Sequence, residues 1–325
     1  MRTKQFTACF LAAGLISLTA CFPVQSQNSE QPRQDDGWIT SPEVPEKVTF
    51  CGQTIDLTRY NMYESMDREL SSLAYFHSTT MLTIKRANRY FPIIVPILKA
   101  NGVPEDFKYL AVVESHLDPR IVSPARAAGM WQFLESAGRE YGLTITPSVD
   151  ERYNVARATE AACRYLKDAY NKYGDWASAA ASYNVGMGRI SGAFASQRET
   201  SVLNLWLVEE TARYVYRILA TKLIFENPQK YGFSLRPRAL YAPISCDEVT
   251  VSAGIPDLVA FAKSHDITYA DLKRFNPWLR DSKLISNGRS YTILIPRKQD
   301  LYYTSPNRTV YDQRWVTKLM TYGNR

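Results

Sequence analysis

Between about Thr58 and Phe233 one pattern recurs: apolar residues at helical spacing, closed by a residue that breaks helices, with almost no strand-like alternation. The spacing predicts helices over Tyr60–Ala74 and His77–Asn88, then a shorter segment bracketed by Pro92 and Pro96 that stops at Asn101-Gly102. Another runs from Pro104 to Ser115 and ends at Asp118-Pro119, and a short one covers Ser136–Tyr141 before Gly142. Asn154 caps a helix that Gly174 closes, and Asp175 caps the next, to about Asn184. Gly186 and Gly188 break that helix, another begins near Arg189, and a long one covers Leu207–Phe225 before Asn227-Pro228. The fold class that follows is mainly α, with an all-helical core.

Beyond Phe233 the texture changes. Glu248–Val251 and Tyr291–Pro296 alternate like strands, and Ile255–Ser264 and Tyr269–Phe275 look helical. From Leu301 the chain carries aromatic and basic residues with no clear fold.

Glu114 stands out within the helical core. Phe107, Leu110 and Ala111 lie seven, four and three residues before it and share its helix face. A carboxylate on an apolar face is expensive unless its pKa rises or it finds partners. A raised pKa is what a general acid working near neutral pH needs. A helix-terminal Glu turned out to solvent fits the same pattern, so this helix alone leaves both readings open.

Three motifs follow in order: Gly129-Met130-Trp131-Gln132, Ser182-Tyr183-Asn184-Val185-Gly186 and Glu210-Thr211-Ala212-Arg213-Tyr214-Val215. Together with Glu114-Ser115 they resemble the Glu-Ser, Gly-x-x-Gln, Ala-Tyr-Asn-x-Gly and Glu-Thr-x-x-Tyr-Val series of lytic transglycosylases of the soluble-lytic-transglycosylase type. The resemblance is closest to the membrane-bound lytic murein transglycosylase D group and runs from about Ile93 to about Phe233. Ser182 stands where that family usually has Ala, and Glu135 where it often has Pro. Strand, helix, helix, strand, with Phe275-Asn276-Pro277 and a final Ile295-Pro296, resembles a LysM module. Ala253-Gly254-Ile255-Pro256 replaces the usual Gly-Asp-Thr-Leu, so the module is degenerate.

The resemblance implies a lysozyme-like catalytic domain that works on peptidoglycan glycan strands with one Glu and no cofactor. Glu114 would protonate the oxygen between N-acetylmuramic acid and N-acetylglucosamine. It would then act as base on the sugar's own 6-hydroxyl, closing a 1,6-anhydro ring without water. The resemblance assigns Ser123 and Gln132 to saccharide contact, Met130 to a wall of the cleft, and Tyr183 and Asn184 to its floor. It places Tyr214 near the acetamido group and the catalytic Glu. Singly, each has a plainer reading: Ser123-Pro124 is a turn, Gln132 a surface amide, and Tyr183 and Tyr214 core aromatics. Glu210 reads as a cap or a bridge between helices. A water-using muramidase and a catalytically silent wall-binding scaffold are the alternatives.

Other chemistries lack their signatures. His77, His116 and His265 are scattered, and no His/Cys/Asp/Glu cluster has metal-ligand spacing. Ser115 lacks an oriented His base, Gly186-Met187-Gly188 is a helix break and not a phosphate loop, and no basic arm with interleaved aromatics suggests nucleic acid. The net charge of +7 includes Arg2 and Lys4, in a segment expected to be removed.

Residues 1–21 read as a secretion signal: a positive start, an apolar Phe6–Leu18 too short to span a bilayer, and Leu18-Thr19-Ala20-Cys21. The last four residues resemble a bacterial lipoprotein box, which implies cleavage before Cys21, its lipidation and anchoring to a membrane. Phe22 in place of Asp favours the outer membrane, facing the periplasm. Cys163 reads as a buried small residue, and a bridge between Cys51 and Cys246 is open in an oxidising compartment. The expected organisation is signal peptide 1–21, flexible tether 22–57, transglycosylase domain 58–236, LysM-like module 237–300 and tail 301–325.

Overall fold

The computed structural model describes residues 40–303 and 309–317; the expected signal peptide, Cys21 and the expected tether as far as residue 39 lie outside them. Among the described residues are ten α-helices and two antiparallel sheets of two strands each. None of these helices is long and apolar enough to cross a membrane.

A hairpin comes first. Strand β1 (Lys47–Phe50) pairs with β2 (Gln53–Asp56), and Cys51 and Gly52 form the turn with φ of 51° and 82°. Two positive φ values give the turn whose twist matches the strands. This corrects the expectation of a flexible tether as far as residue 57. Val44, Val48, Phe50 and Leu57 are buried in the main core. With only one apolar face and four residues per strand, the hairpin left a weak sequence signal.

The helices then pack around one another. Helix α1 (Tyr60–Tyr75) is followed by α2 (His77–Ala100), which runs unbroken through Pro92 and Pro96 where two segments were expected. The prolines are four residues apart and share the outer face, while Ala87, Phe91, Ile94, Val95 and Leu98 are buried on the other. Each proline removes one amide donor, and burial of the apolar face outweighs the loss. Asn88 anchors the middle of α2: its Nδ2 donates to the carbonyls of Tyr241 (3.1 Å) and Thr309 (3.0 Å), and its Oδ1 accepts from the Tyr311 amide (2.7 Å).

After a 3₁₀ turn at Glu105–Phe107 comes α3 (Lys108–Ser115), which packs against α2 and has Tyr109, Leu110, Ala111 and Val112 buried. It stops at His116, in the left-handed region with φ 49°, two residues before Asp118-Pro119. Next are α4 (Glu135–Glu140), α5 (Val155–Tyr173), α6 (Trp176–Val185), α7 (Met187–Gln197) and α8 (Glu209–Glu226). Asn154 caps α5 through the Arg157 amide (3.2 Å), and Asp175 caps α6 through the Ala177 and Ser178 amides (3.2 and 2.8 Å). Only Gly186 breaks the chain between α6 and α7; Gly188 is helical. Helix α8 packs on α1, α3 and α6.

A second, smaller core follows. Strand β3 (Cys246–Val251) pairs with β4 (Tyr291–Pro296), and between them lie α9 (Leu258–Ser264) and α10 (Tyr269–Phe275). Helix α9 starts later than expected because Asp257 caps it and Ile255 bridges to Leu284 instead. Buried Asn276 donates to the carbonyls of Leu272 (3.0 Å) and Leu294 (2.7 Å) and accepts from the Leu294 amide (2.8 Å), tying α10 to β4. This core is shared with the helical part: Ala128, Val149 and Tyr153 pack in it. The Asp150 amide donates to the Trp278 carbonyl (2.9 Å), the Arg280 amide to the Ser148 carbonyl (2.9 Å), and the Arg280 guanidinium lies 4.2 Å from the centre of the Tyr153 ring.

The bridge left open between Cys51 and Cys246 is not formed: both are free thiols, as is Cys163, which is buried as expected. One further expectation is corrected. The tail does have structure after residue 308: Trp315 is buried, donates from Nε1 to the Phe225 carbonyl (2.8 Å) and packs on the rings of Phe91 and Phe225, and Val316 bridges to Leu235. A Trp315→Ala substitution should lower unfolding free energy by about 3–5 kcal/mol, the usual loss for a large aromatic in a core. Urea unfolding measures it; a loss under about 1 kcal/mol, typical of a surface change, would contradict the packing described.

Candidate active site

Because α3 is buried for most of its length, its last turn delivers Glu114 to the lining of a cleft of about 580 Å³. Glu114 itself is half-buried. The Tyr214 hydroxyl, on α8, donates to its Oε1. Burial raises the Glu114 pKa to about 7, against the opposing pull of the Tyr214 hydrogen bond and the Arg217 charge; Glu210 adds a smaller push upward. Burial also holds the Tyr214 hydroxyl well above its ordinary value, so it stays a neutral donor.

The loop 121–133 forms one side of the cleft. Val122 and Phe133 both bridge to Ala128, and the Ser123 Oγ accepts from the Ala127 amide (3.1 Å). Gln132, in the left-handed region with φ 49°, turns its Nε2 back to the carbonyls of Gly129 (2.8 Å) and Ile121 (3.3 Å). Arg152 braces this loop from behind: its Nη1 donates to the carbonyls of Arg126 (2.9 Å) and Phe133 (3.2 Å), while Asp150 holds its Nη2 at 2.7 Å. At Gly129 a Cβ would lie 1.9 Å from the Arg152 carbonyl oxygen, so only glycine allows the loop to seat there.

The opposite side comes from α6. Tyr183 lines the cleft with its ring and donates its hydroxyl to the Trp131 carbonyl (2.8 Å), which locks it in place. Asn184 lines the cleft too, and its Oδ1 accepts from the Thr211 hydroxyl (3.0 Å).

Five of the residues singled out from sequence therefore line one cleft: Glu114, Ser123, Gln132, Tyr183 and Asn184. Tyr214 is buried and reaches the site through its hydroxyl. Met130 is corrected: it is fully buried and forms no part of the cleft wall. Its sulfur accepts from the Ser115 hydroxyl (3.5 Å), so it packs beneath the end of α3. Arg189 and Phe133 also line the cleft and were passed over; Glu210, which was read as a cap or a bridge between helices, lines it too. Glu210 was detectable, because it lies four residues before Tyr214 and shares its helix face.

Residues 91–205 match the transglycosylase SLT domain, and residues 247–299 the soluble lytic transglycosylase C-terminal LysM-like domain. The chain thus carries an SLT domain on a lysozyme-like helical fold, followed by a LysM-like domain. It is 32% identical over 276 residues to membrane-bound lytic murein transglycosylase D of Escherichia coli, covering 81% of this chain and 58% of that protein. It is also 36% identical over 94 residues to peptidoglycan transglycosylase gp16 of Escherichia phage T7, covering 28% of this chain and 7% of that one. A third similarity, 27% over 123 residues, is to a putative tributyltin chloride resistance protein of an Alteromonas species, covering 38% of this chain and 59% of that protein. The chain spans less than two thirds of the length of these curated relatives.

The Glu114 carboxyl holds its proton up to about pH 7 in the folded protein, against an ordinary value of 4.5. Its contribution to stability therefore falls as pH rises from 4.5 to about 7 and is flat above. Glu114→Gln should lack that slope. Denaturant unfolding of both proteins across this range measures the difference; parallel curves would refute the raised pKa.

Proposed function

We propose that this protein is a peptidoglycan lytic transglycosylase in which Glu114 serves first as acid and then as base. The observation that carries the reading is a carboxyl that lines the cleft and whose pKa is raised to about 7. At neutral pH such a group exists in both forms, so it can give a proton and take one back. Protonated Glu114 cleaves the bond between N-acetylmuramic acid and N-acetylglucosamine by protonating the bridging oxygen. The muramyl 2-acetamido group stabilises the cation that develops. Ionised Glu114 then removes the proton of the 6-hydroxyl, whose oxygen attacks the anomeric carbon and closes the 1,6-anhydro ring. Tyr214 holds the carboxyl in one orientation through both steps. Ser123, Gln132, Tyr183 and Asn184 contact the saccharide.

One observation favours a second reading. Glu210 also lines the cleft, and a second carboxylate able to activate water would make the enzyme a hydrolytic muramidase. Mass spectrometry of digested sacculi decides: anhydro-muropeptides support the transglycosylase, reducing ends the muramidase. Under either reading Glu114→Gln should lower digestion by ~10²–10⁴-fold, the usual worth of general acid–base catalysis. A variant that keeps more than about a tenth of the rate, far above that range, would sink the assignment of Glu114.

We also propose that the mature protein is held at the outer membrane, facing the periplasm, by lipid on Cys21, on the strength of the Leu18-Thr19-Ala20-Cys21 box. Cys21→Ser should yield unlipidated protein; a wild-type mature form free of lipid by mass spectrometry would refute the anchor. The LysM-like domain acts in part as a brace for the site, a role supported by its shared core with Ala128, Val149 and Tyr153.

A further inference from the structure

Trp206 is 90% exposed, more than any other large apolar residue among those described. An indole left in water marks a contact surface when it is displayed rigidly and sits beside other apolar groups. Here the backbone is held from both sides by one side chain. The Trp206 amide donates to Gln197 Oε1 (2.7 Å), and Gln197 Nε2 donates to the Trp206 carbonyl (2.9 Å). Gln197 is the last residue of α7, and Val202 and Leu205 anchor the same loop in the core. The loop is fixed while its largest side chain is left without cover.

Beside it lies a hollow of about 420 Å³, whose lining includes Trp206 with Ala181 and Ala212 on its apolar side and Asn61 and Glu209 on its polar side. The Asn61 Oδ1 is buried and has no hydrogen-bond partner among the described residues. Tyr60 and Tyr63, which flank Asn61 on α1, are exposed as well.

The hollow adjoins the catalytic cleft. Glu209 lines the hollow and Glu210 the cleft, at the start of α8. Thr211 lines the hollow and donates to Asn184, which lines the cleft. A strand leaving the cleft past Asn184 meets the hollow next.

We propose that this hollow is a second saccharide site, taking a hexosamine ring of the same glycan strand beyond the sugars held in the cleft. A pyranose offers an apolar C–H face to stack on the indole and a polar edge of hydroxyl and acetamido N–H donors to meet Asn61 and Glu209. The acetamido methyl fits against the small, exposed Ala212. The site rests on the glycan-cleaving reading above.

The test uses the full chain carrying Glu114→Gln, so that saccharides bind without being cleaved. Calorimetry with alternating N-acetylglucosamine–N-acetylmuramic acid oligomers of rising length measures affinity. Affinity should step up once the oligomer is long enough to leave the cleft. Adding Trp206→Ala should abolish that step, weakening long oligomers about tenfold, the scale of one stacked aromatic, while short ones bind as before. Trp206→Tyr should restore most of it. If Trp206→Ala binds every length as the parent does, the second site is wrong and the cleft's function stands. If no oligomer of any length binds, the function reading falls, and the second site with it. If Trp206→Ala loses only the capacity to pellet with anionic vesicles, Trp206 is a lipid contact and the proposal is overturned.

Discussion

Removing the Glu114 carboxyl from bulk water is the step on which the rest of the site depends. In an exposed position a Glu is ionised at neutral pH and has no proton to give. The fold prevents this by burying α3 against α2 and α8, so that the carboxyl emerges only at the cleft. Desolvation alone would strand the group as an acid. The Tyr214 hydroxyl and the Arg217 charge pull the other way and hold the balance near neutrality. Tyr214 is one hundred residues further along the chain, so the acid–base character of Glu114 exists only while α8 is docked.

The loop 121–133 that lines the cleft has its own support. Gln132 and Ser123 satisfy hydrogen bonds inside the loop, and Arg152 fixes the loop as a unit by gripping two of its carbonyls. Arg152 is aligned by Asp150, whose backbone amide is held by the Trp278 carbonyl in the second domain. One chain of contacts therefore links the LysM-like domain to the cleft wall. The smaller domain thus helps to hold the wall of a cleft that it does not itself line.

What could be read in the sequence was what is decided locally. Asn154 and Asp175 cap helices because each reaches amides two or three residues ahead, and Gly174 and Gly142 close helices because the chain turns there with positive φ. Glu114, Ser123, Gln132, Tyr183 and Asn184 were found because their motifs are ordered along the chain, and they do meet in one cleft. The errors share a different cause. The burial of the hairpin at residues 47–56 in the main core, the continuity of α2 through two prolines and the packing of Trp315 are all settled by partners far away in sequence. Met130 was misplaced for the same reason: its burial depends on what covers it, which no local pattern records. Glu210 was set aside on its role as a bridge, although its spacing from Tyr214 put it on the same face.

The packing of Trp315 has a temporal meaning. Phe91, Phe225 and Trp315 form one aromatic cluster, and Asn88 in α2 is tied to the amide of Tyr311. The innermost helix pair is sealed by residues that are made more than two hundred positions after α2. The core therefore closes only once residues 311–315 have joined it. Contacts so distant in sequence slow folding, and here they also order events: a partly synthesised chain lacks the wedge behind α2 and α8. The helices that position Glu114 are thereby completed only when residues 311–315 dock against them.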